Sequence, residues 1–315
     1  MIVRWGLDML PEVCAAAGVH EPLLVASPRW HDLELPVEPG ARWSEVPSHR
    51  VDEAATRAGG GVVAVGGGSA IDLGKAVSAA AGVPLVSIPT TYAGAEWTRY
   101  YGVRDPERKM RGGGSGADSR GIVYDVELTL DLPRETTVGT SMNALAHCAE
   151  ALYVDGNNEA ADEHALAGAR LIGEWLPRVV DAPRDREART ELLRGACHGG
   201  AALGGSGLAL AHAMAQAIGG RYGLPHGTLN GICLPPALRW NAQWAPEAVQ
   251  RFQEAVGVRV VDLAALGGAT RLHELGVPEA DLPGLAETAA GRPGNKANPR
   301  PATPAEIEAL LRTVF

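Results

Sequence analysis

Residues 62–75, V-V-A-V-G-G-G-S-A-I-D-L-G-K, constrain the fold more than any other stretch of the chain. A short apolar run ends in three glycines and passes directly into a helix-like pattern. A strand that stops at a glycine-rich turn and starts a helix presents unpaired backbone N–H groups, which favour a phosphate or pyrophosphate. The segment is therefore expected to bind a nucleotide cofactor. Its spacing is neither G-x-G-x-x-G nor G-x-x-x-x-G-K-[ST], so the two commonest phosphate loops do not describe it. A βα turn without a ligand is the plain alternative.

Around this loop, residues 23–27, 62–65, 84–89 and 121–124 read as strands, with 51–58 and 72–81 as crossover helices. Strands punctuated by helices predict a parallel sheet. The polar, glycine-rich segment 104–120 reads as an exposed, mobile loop. Beyond about residue 133 the strand signals thin out, and 136–153, 160–179, 186–203 and 208–218 read as Ala/Leu-rich helices with little polar surface. The prediction is an α/β domain over 1–132 and an all-α domain over 133–315, with a site in the cleft between them.

Composition bounds the function. The 315 residues carry 28 Lys+Arg against 37 Asp+Glu, a formal net charge of −9, which argues against a nucleic-acid partner. No apolar run approaches the ~20 residues needed to span a bilayer, and Met1 is not followed by a secretion signal. Cys14, Cys148, Cys197 and Cys233 lack C-x-x-C pairing and read as reduced thiols of a cytoplasmic protein.

The second half carries a polar constellation. Asn143 and His147 stand four apart, as do His212 and Gln216, so each pair shares a helix face; His226 follows a Leu-Pro at an expected helix start. Three histidines among small apolar residues can converge to hold a divalent metal, or remain satisfied core residues. Opposite a phosphate loop, a functional site is the reading preferred here.

Five segments together resemble the iron-containing alcohol dehydrogenase superfamily: G-G-G-S-A-I-D-L-G-K at 66–75, P-T-T-Y-A-G-A-E-W-T at 89–98, N-A-L-A-H-C-A-E at 143–150, H-A-M-A-Q-A-I-G-G-R-Y-G-L-P-H at 212–226, and N-P-R-P at 298–301. Within it, P-T-T-Y-A-G, the Y-D-x-E-L-T-L-D-L-P stretch at 124–133 and the late N-P-R-P resemble the maleylacetate reductases. The resemblance runs from about residue 46 onward. It implies a dehydroquinate synthase-like fold, a homodimer, a role in breakdown of aromatic compounds, and NADH or NADPH held by Gly66, Gly67, Gly68 and Ser69. Asp72 and Lys75 would shape the turn and nicotinamide end, and Thr90, Thr91 and Ser27 would line the cofactor. Arg29 would face a 2′-phosphate if the cofactor is NADPH.

In the metal-dependent branch of the superfamily the ligands are one Asp and three His; here Asn143, His147, His212 and His226 stand at those positions. Replacing the only anionic ligand removes an attraction of about 4 kcal/mol at about 4 Å and an effective dielectric near 20. The resemblance therefore implies that a divalent metal is not required, and that His147, His212 and His226, with Asn143, bind an oxo-acid and move protons. Arg99 is the expected clamp for a substrate carboxylate, with Tyr92 and Gln216 beside it. Gln216 stands where both branches usually place a histidine, Asn230 replaces a histidine typical of the reductases, and one β/α unit is trimmed between Trp30 and Val46. These departures keep open a carbonyl or imine reductase of a specialised biosynthetic route, a non-redox lyase or cyclase like dehydroquinate synthase, and a nucleotide-binding protein without turnover.

Overall fold

The computed structural model describes all 315 residues, which divide into two compact units: residues 1–91 with 95–129, and 92–94 with 130–315. No single helix is long and apolar enough to cross a membrane.

The first unit is built on six strands: β1 (Ile2–Trp5), β2 (Leu23–Ala26), β3 (Ala41–Trp43), β4 (Val62–Gly66), β5 (Pro84–Pro89) and β8 (Asp118–Tyr124). They pair in the order β1-β8-β5-β4-β2-β3, every neighbour parallel. Strand alternation decides which helix covers which face. Leu24, Val63, Val65, Val86 and Ile88 face α1 (Leu10–Ala17), whose Leu10, Val13, Cys14 and Ala17 complete that layer. Leu23, Val25, Val62, Ala64 and Leu85 face the other way, onto α2 (Val51–Ala55) and α3 (Gly68–Ala81). Nearly continuous apolar strands are what a sheet covered on both faces requires.

The predicted loop 104–120 is instead part of an antiparallel hairpin, β6 (Tyr101–Arg104) with β7 (Met110–Gly114), followed directly by β8. Its charges pair among themselves: Lys109 with Glu107, Arg111 with Asp105. Gly114 lies under the Tyr101 ring and Gly102 beside the Met110 thioether, so glycines that propensity would exclude from a strand make room for the large residues opposite. The sequence reading also missed the edge strands β1 and β3, and between Trp30 and Val46 the chain carries only β3 and no α-helix.

The second unit is helical. It contains α4 (Arg134–Ala151), α5 (Glu159–Asp181), α6 (Arg186–Gly205), α7 (Leu210–Tyr222), α8 (His226–Asn241), α9 (Pro246–Val256), α10 (Val260–Ala265), α11 (Leu282–Ala290), α12 (Pro293–Lys296) and α13 (Pro304–Arg312). Helix α4 is buried along almost its whole length from Thr137. Its neighbours reach it through glycines. A Cβ on Gly199 of α6 would lie 2.7 Å from the Ala144 carbonyl oxygen, and one on Gly227 of α8 would overlap the Gly139 carbonyl and come 2.9 Å from Thr140 N. Backbone thus meets backbone at the α4–α8 crossing, and the residues one turn further along, Asn143 and Asn230, are carried into contact.

Candidate active site

In the first unit, β2, β4 and β5 end at Ala26, Gly66 and Pro89, which puts Ser27 and Thr90 just beyond the same carboxyl edge of the sheet. The strand order reverses between β2 and β4, because β3 pairs on one side of β2 and β4 on the other. The carboxyl edge at such a reversal is the usual nucleotide crevice of open α/β sheets. Gly66 has φ +146°, a conformation that favours glycine, and its carbonyl accepts from Thr90 N at 3.0 Å. Gly67 lies against the Thr91 side chain, whereas nothing stands within 4 Å of the position a Cβ would take on Gly68. No side chain caps the N-terminus of α3. Its first-turn amides, open space before Gly68 and the helix dipole fit a pyrophosphate.

Asp72 and Lys75 are committed elsewhere. Lys75 is 1% exposed, and its Nζ donates to Thr98 Oγ1 at 3.0 Å, the Tyr100 carbonyl at 2.8 Å and Asp72 Oδ1 at 3.3 Å. Asp72 Oδ2 accepts from Gly102 N. The pair pins residues 98–102, the entry to the β6–β7 hairpin. Arg99 is exposed, its Nε donating to the Ala117 carbonyl.

In the second unit the structure brings together Asn143, His147, His212 and His226, the four residues singled out in the sequence. The His147 and His212 rings stack at 4.8 Å and 13°, and His226 tilts against His212 at 5.5 Å. Asn143 is the hub. Its Nδ2 donates to the Ala93 carbonyl at 2.7 Å, which turns Oδ1 toward Asn230 Nδ2 at 2.6 Å and His212 Nε2 at 3.3 Å. Asn230 Nδ2 also lies 3.0 Å from His226 Nε2, so that nitrogen accepts and the ring proton sits on Nδ1. Asn143 Nδ2 is 3.4 Å from His147 Nε2. Burial, followed by repulsion from His212 and His226, holds the His147 pKa well below its ordinary value, so this ring is neutral.

Two parts of this cluster escaped the sequence reading. Glu150 is fully buried; its carboxylate takes His212 Nδ1 at 2.7 Å, Ala209 N at 2.7 Å and His212 N at 3.1 Å. It caps the N-terminus of α7 and fixes the His212 ring. The signal was present: Asn143, His147 and Glu150 are spaced i, i+4, i+7 along one helix face. Arg189 is the other. It is 1% exposed and donates only to neutral oxygens: the Pro183 and Leu132 carbonyls, Thr137 Oγ1 and Tyr92 Oη. That corrects the expectation for Tyr92, which is fully buried with its hydroxyl on Arg189, away from any surface a substrate could touch. Gln216 is half-buried one turn beyond His212, its carbonyl facing Arg292 Nη2 at 3.5 Å.

The donor set does not fit a divalent metal. No three His, Cys, Asp or Glu side chains are grouped as a metal would need. Glu150, the carboxylate in the cluster, is spent on His212 and two backbone amides, and the Asn143 and His226 acceptors already face the Asn230 amide. Neither Cys14 nor Cys148 offers a substitute nucleophile or ligand: burial pushes the Cys14 thiol up to about 11 and Cys148 up to about 12.

Residues 137–315 match the C-terminal model of the Fe-containing alcohol dehydrogenase family, and residues 40–118 match the iron-containing alcohol dehydrogenase model. A maleylacetate reductase of Pseudomonas sp. (strain P51) is 35% identical over 98% of this chain and 93% of its own. One from Burkholderia cepacia is 39% identical over 80% of this chain and 73% of its own. The crystal structure of maleylacetate reductase from Rhizobium sp. strain MTP-10005 superposes with a TM-score of 0.88 at 32% identity, covering 100% of this chain and 95% of that one. The α/β unit with its parallel sheet and the helical unit are the two-domain fold of these proteins. A glycine-rich βα loop, an imidazole–amide cluster and relatives spanning nearly its whole length place the chain in the iron-containing alcohol dehydrogenase family, as an oxidoreductase that uses NAD(P)H.

Proposed function

We propose that the protein reduces maleylacetate or a closely related oxo-acid with NADH or NADPH, without a divalent metal. The observation that carries this reading is the hydrogen-bonded cluster around Asn143, in which two of the acceptors that a metal would need, Asn143 Oδ1 and His226 Nε2, already face the Asn230 amide. Support for the substrate comes from the relatives, which are named for that activity and match over most of the chain.

The nicotinamide, when bound, supplies the hydride; the protein's share is binding and alignment. Amides of Gly67, Gly68 and Ser69 hold the pyrophosphate, with Ser27, Thr90 and Thr91 alongside. His226 donates a hydrogen bond from Nδ1–H to the substrate because Asn230 occupies Nε2, and water supplies the transferred proton. His212, fixed by Glu150, stands with neutral His147 and Gln216 in the polar wall. Arg99 clamps a substrate carboxylate. Hydride to one substrate carbon and a proton to the adjacent carbon or oxygen balance the reduction.

The test is nicotinamide oxidation by chelator-treated protein with fresh maleylacetate, NADH and NADPH in parallel. Oxidation in the absence of metal is the expected result and names the cofactor. No oxidation, in protein that still binds nucleotide, overturns the substrate assignment; Gln216 and Asn230 then direct the search to carbonyl or imine substrates.

A further inference from the structure

The position between two would-be ligand atoms is taken by a side-chain amide. Asn230 Nδ2 stands 2.6 Å from Asn143 Oδ1 and 3.0 Å from His226 Nε2. An NH2 group has two hydrogens, and here each has an acceptor. The lone pairs on which a divalent cation would depend are the ones these hydrogens occupy.

Nothing in the cluster allows the amide to turn over. The Ala93 carbonyl accepts from Asn143 Nδ2 at 2.7 Å, which commits Asn143 Oδ1 to face Asn230. A flipped Asn230 would set two carbonyl oxygens against each other at hydrogen-bond distance. Nor can the side chain easily withdraw: Asn230 is 0% exposed, and the α4–α8 crossing one turn earlier is backbone on backbone at Gly139 and Gly227. Asn230 Oδ1 has no partner at all. A buried orphan oxygen costs about 1–3 kcal/mol, so this side chain is held for what its NH2 end does.

We propose that Asn230 is an internal substitute for the metal of this fold: its amide bridges Asn143 to His226 and closes the position to divalent cations. The proposal rests on the metal-free reading above and makes a claim which that reading does not. Restoring the anionic ligand by Asn143→Asp alone does not create a metal site, because the Asn230 amide still stands between residue 143 and His226 Nε2 and donates to both. Opening the position requires Asn230 to go as well.

The experiment is equilibrium dialysis of the wild type, Asn143→Asp, Asn230→Ala and the double variant Asn143→Asp/Asn230→Ala against Co2+ and Zn2+. Metal per chain and Co2+ visible absorption are read, with NADH binding as the check on folding. The expected result is about one metal per chain in the double variant, bound about 10- to 100-fold more tightly than by Asn143→Asp, and none retained by the wild type. Stoichiometric metal in Asn143→Asp with none in the wild type overturns this proposal and leaves the metal-free reading standing. Stoichiometric metal in the wild type overturns both. A folded double variant that takes up no metal overturns the proposal alone. Should the double variant not fold, Asn143→Asp decides: tight Co2+ there refutes the role given to Asn230, and its absence upholds it.

Discussion

Gly227→Ala tests how the cluster is assembled. The added methyl would overlap the Gly139 carbonyl and fall 2.9 Å from Thr140 N, all backbone atoms of α4. Ordinary carbon contacts begin near 3.4 Å, so the helices must part by about 1 Å at the crossing. The Asn143–Asn230 bond, 2.6 Å long and one turn away, then stretches beyond hydrogen-bond range. Overpacking costs about 1–3 kcal/mol and stranding the two buried amides about 1–3 more, while better helix propensity returns at most about 1. Net destabilisation of about 1–5 kcal/mol should appear in urea unfolding. A displacement of that size at catalytic groups lowers turnover by about 10²-fold. Nucleotide affinity, which the proposed function assigns to the first unit, should remain near the wild-type value. A Gly227→Ala protein as stable and as active as the wild type would refute the claim that this crossing sets the geometry of the cluster.

Two further outcomes follow from the same geometry. Replacing His226 by Ala should lower turnover by about 10²–10⁴-fold while leaving the nucleotide Kd close to wild type; equal loss of both would place this residue with the cofactor instead. His147 supplies a pH dependence: below its ordinary value of 6.5 the unfolded chain takes up a proton there that the folded protein refuses, so stability falls as the pH drops through that region. One such group contributes a slope of at most about 1.4 kcal/mol per pH unit. His147→Gln should flatten that limb in unfolding curves between pH 4 and 7, and an unchanged slope would mean the ring is not held neutral.

The parallel sheet and helical half were legible because apolar runs with glycine stops are local signals, and β4, its three glycines and α3 follow one another without interruption. The imidazole set was legible through helical spacing and motif resemblance. Strand β3, three residues long, offered too little pattern to see, and β7 carries three consecutive glycines whose place in a strand depends on the Tyr101 and Met110 side chains opposite. Tyr92 was misread because adjacency in a motif says nothing about direction; only the fold shows its hydroxyl meeting Arg189, 97 residues away in sequence. Asn230 could be noticed as a departure from pattern, yet its two acceptors come from α4 and from its own helix, and the first of these is a tertiary fact.

The carbonyl that orients Asn143 belongs to Ala93, and residues 92–94 join the second unit although the chain on either side of them belongs to the first. A chimera that grafts a relative's helical half onto this α/β half at residue 130 would leave this tripeptide behind with the wrong parent. The grafted asparagine would then meet a carbonyl selected alongside other helices, and the polarity of the whole amide–imidazole chain would depend on an accident of splicing. Recombination between members of this fold should therefore succeed more often when the short segment travels with the helical half, as a third piece of the exchange.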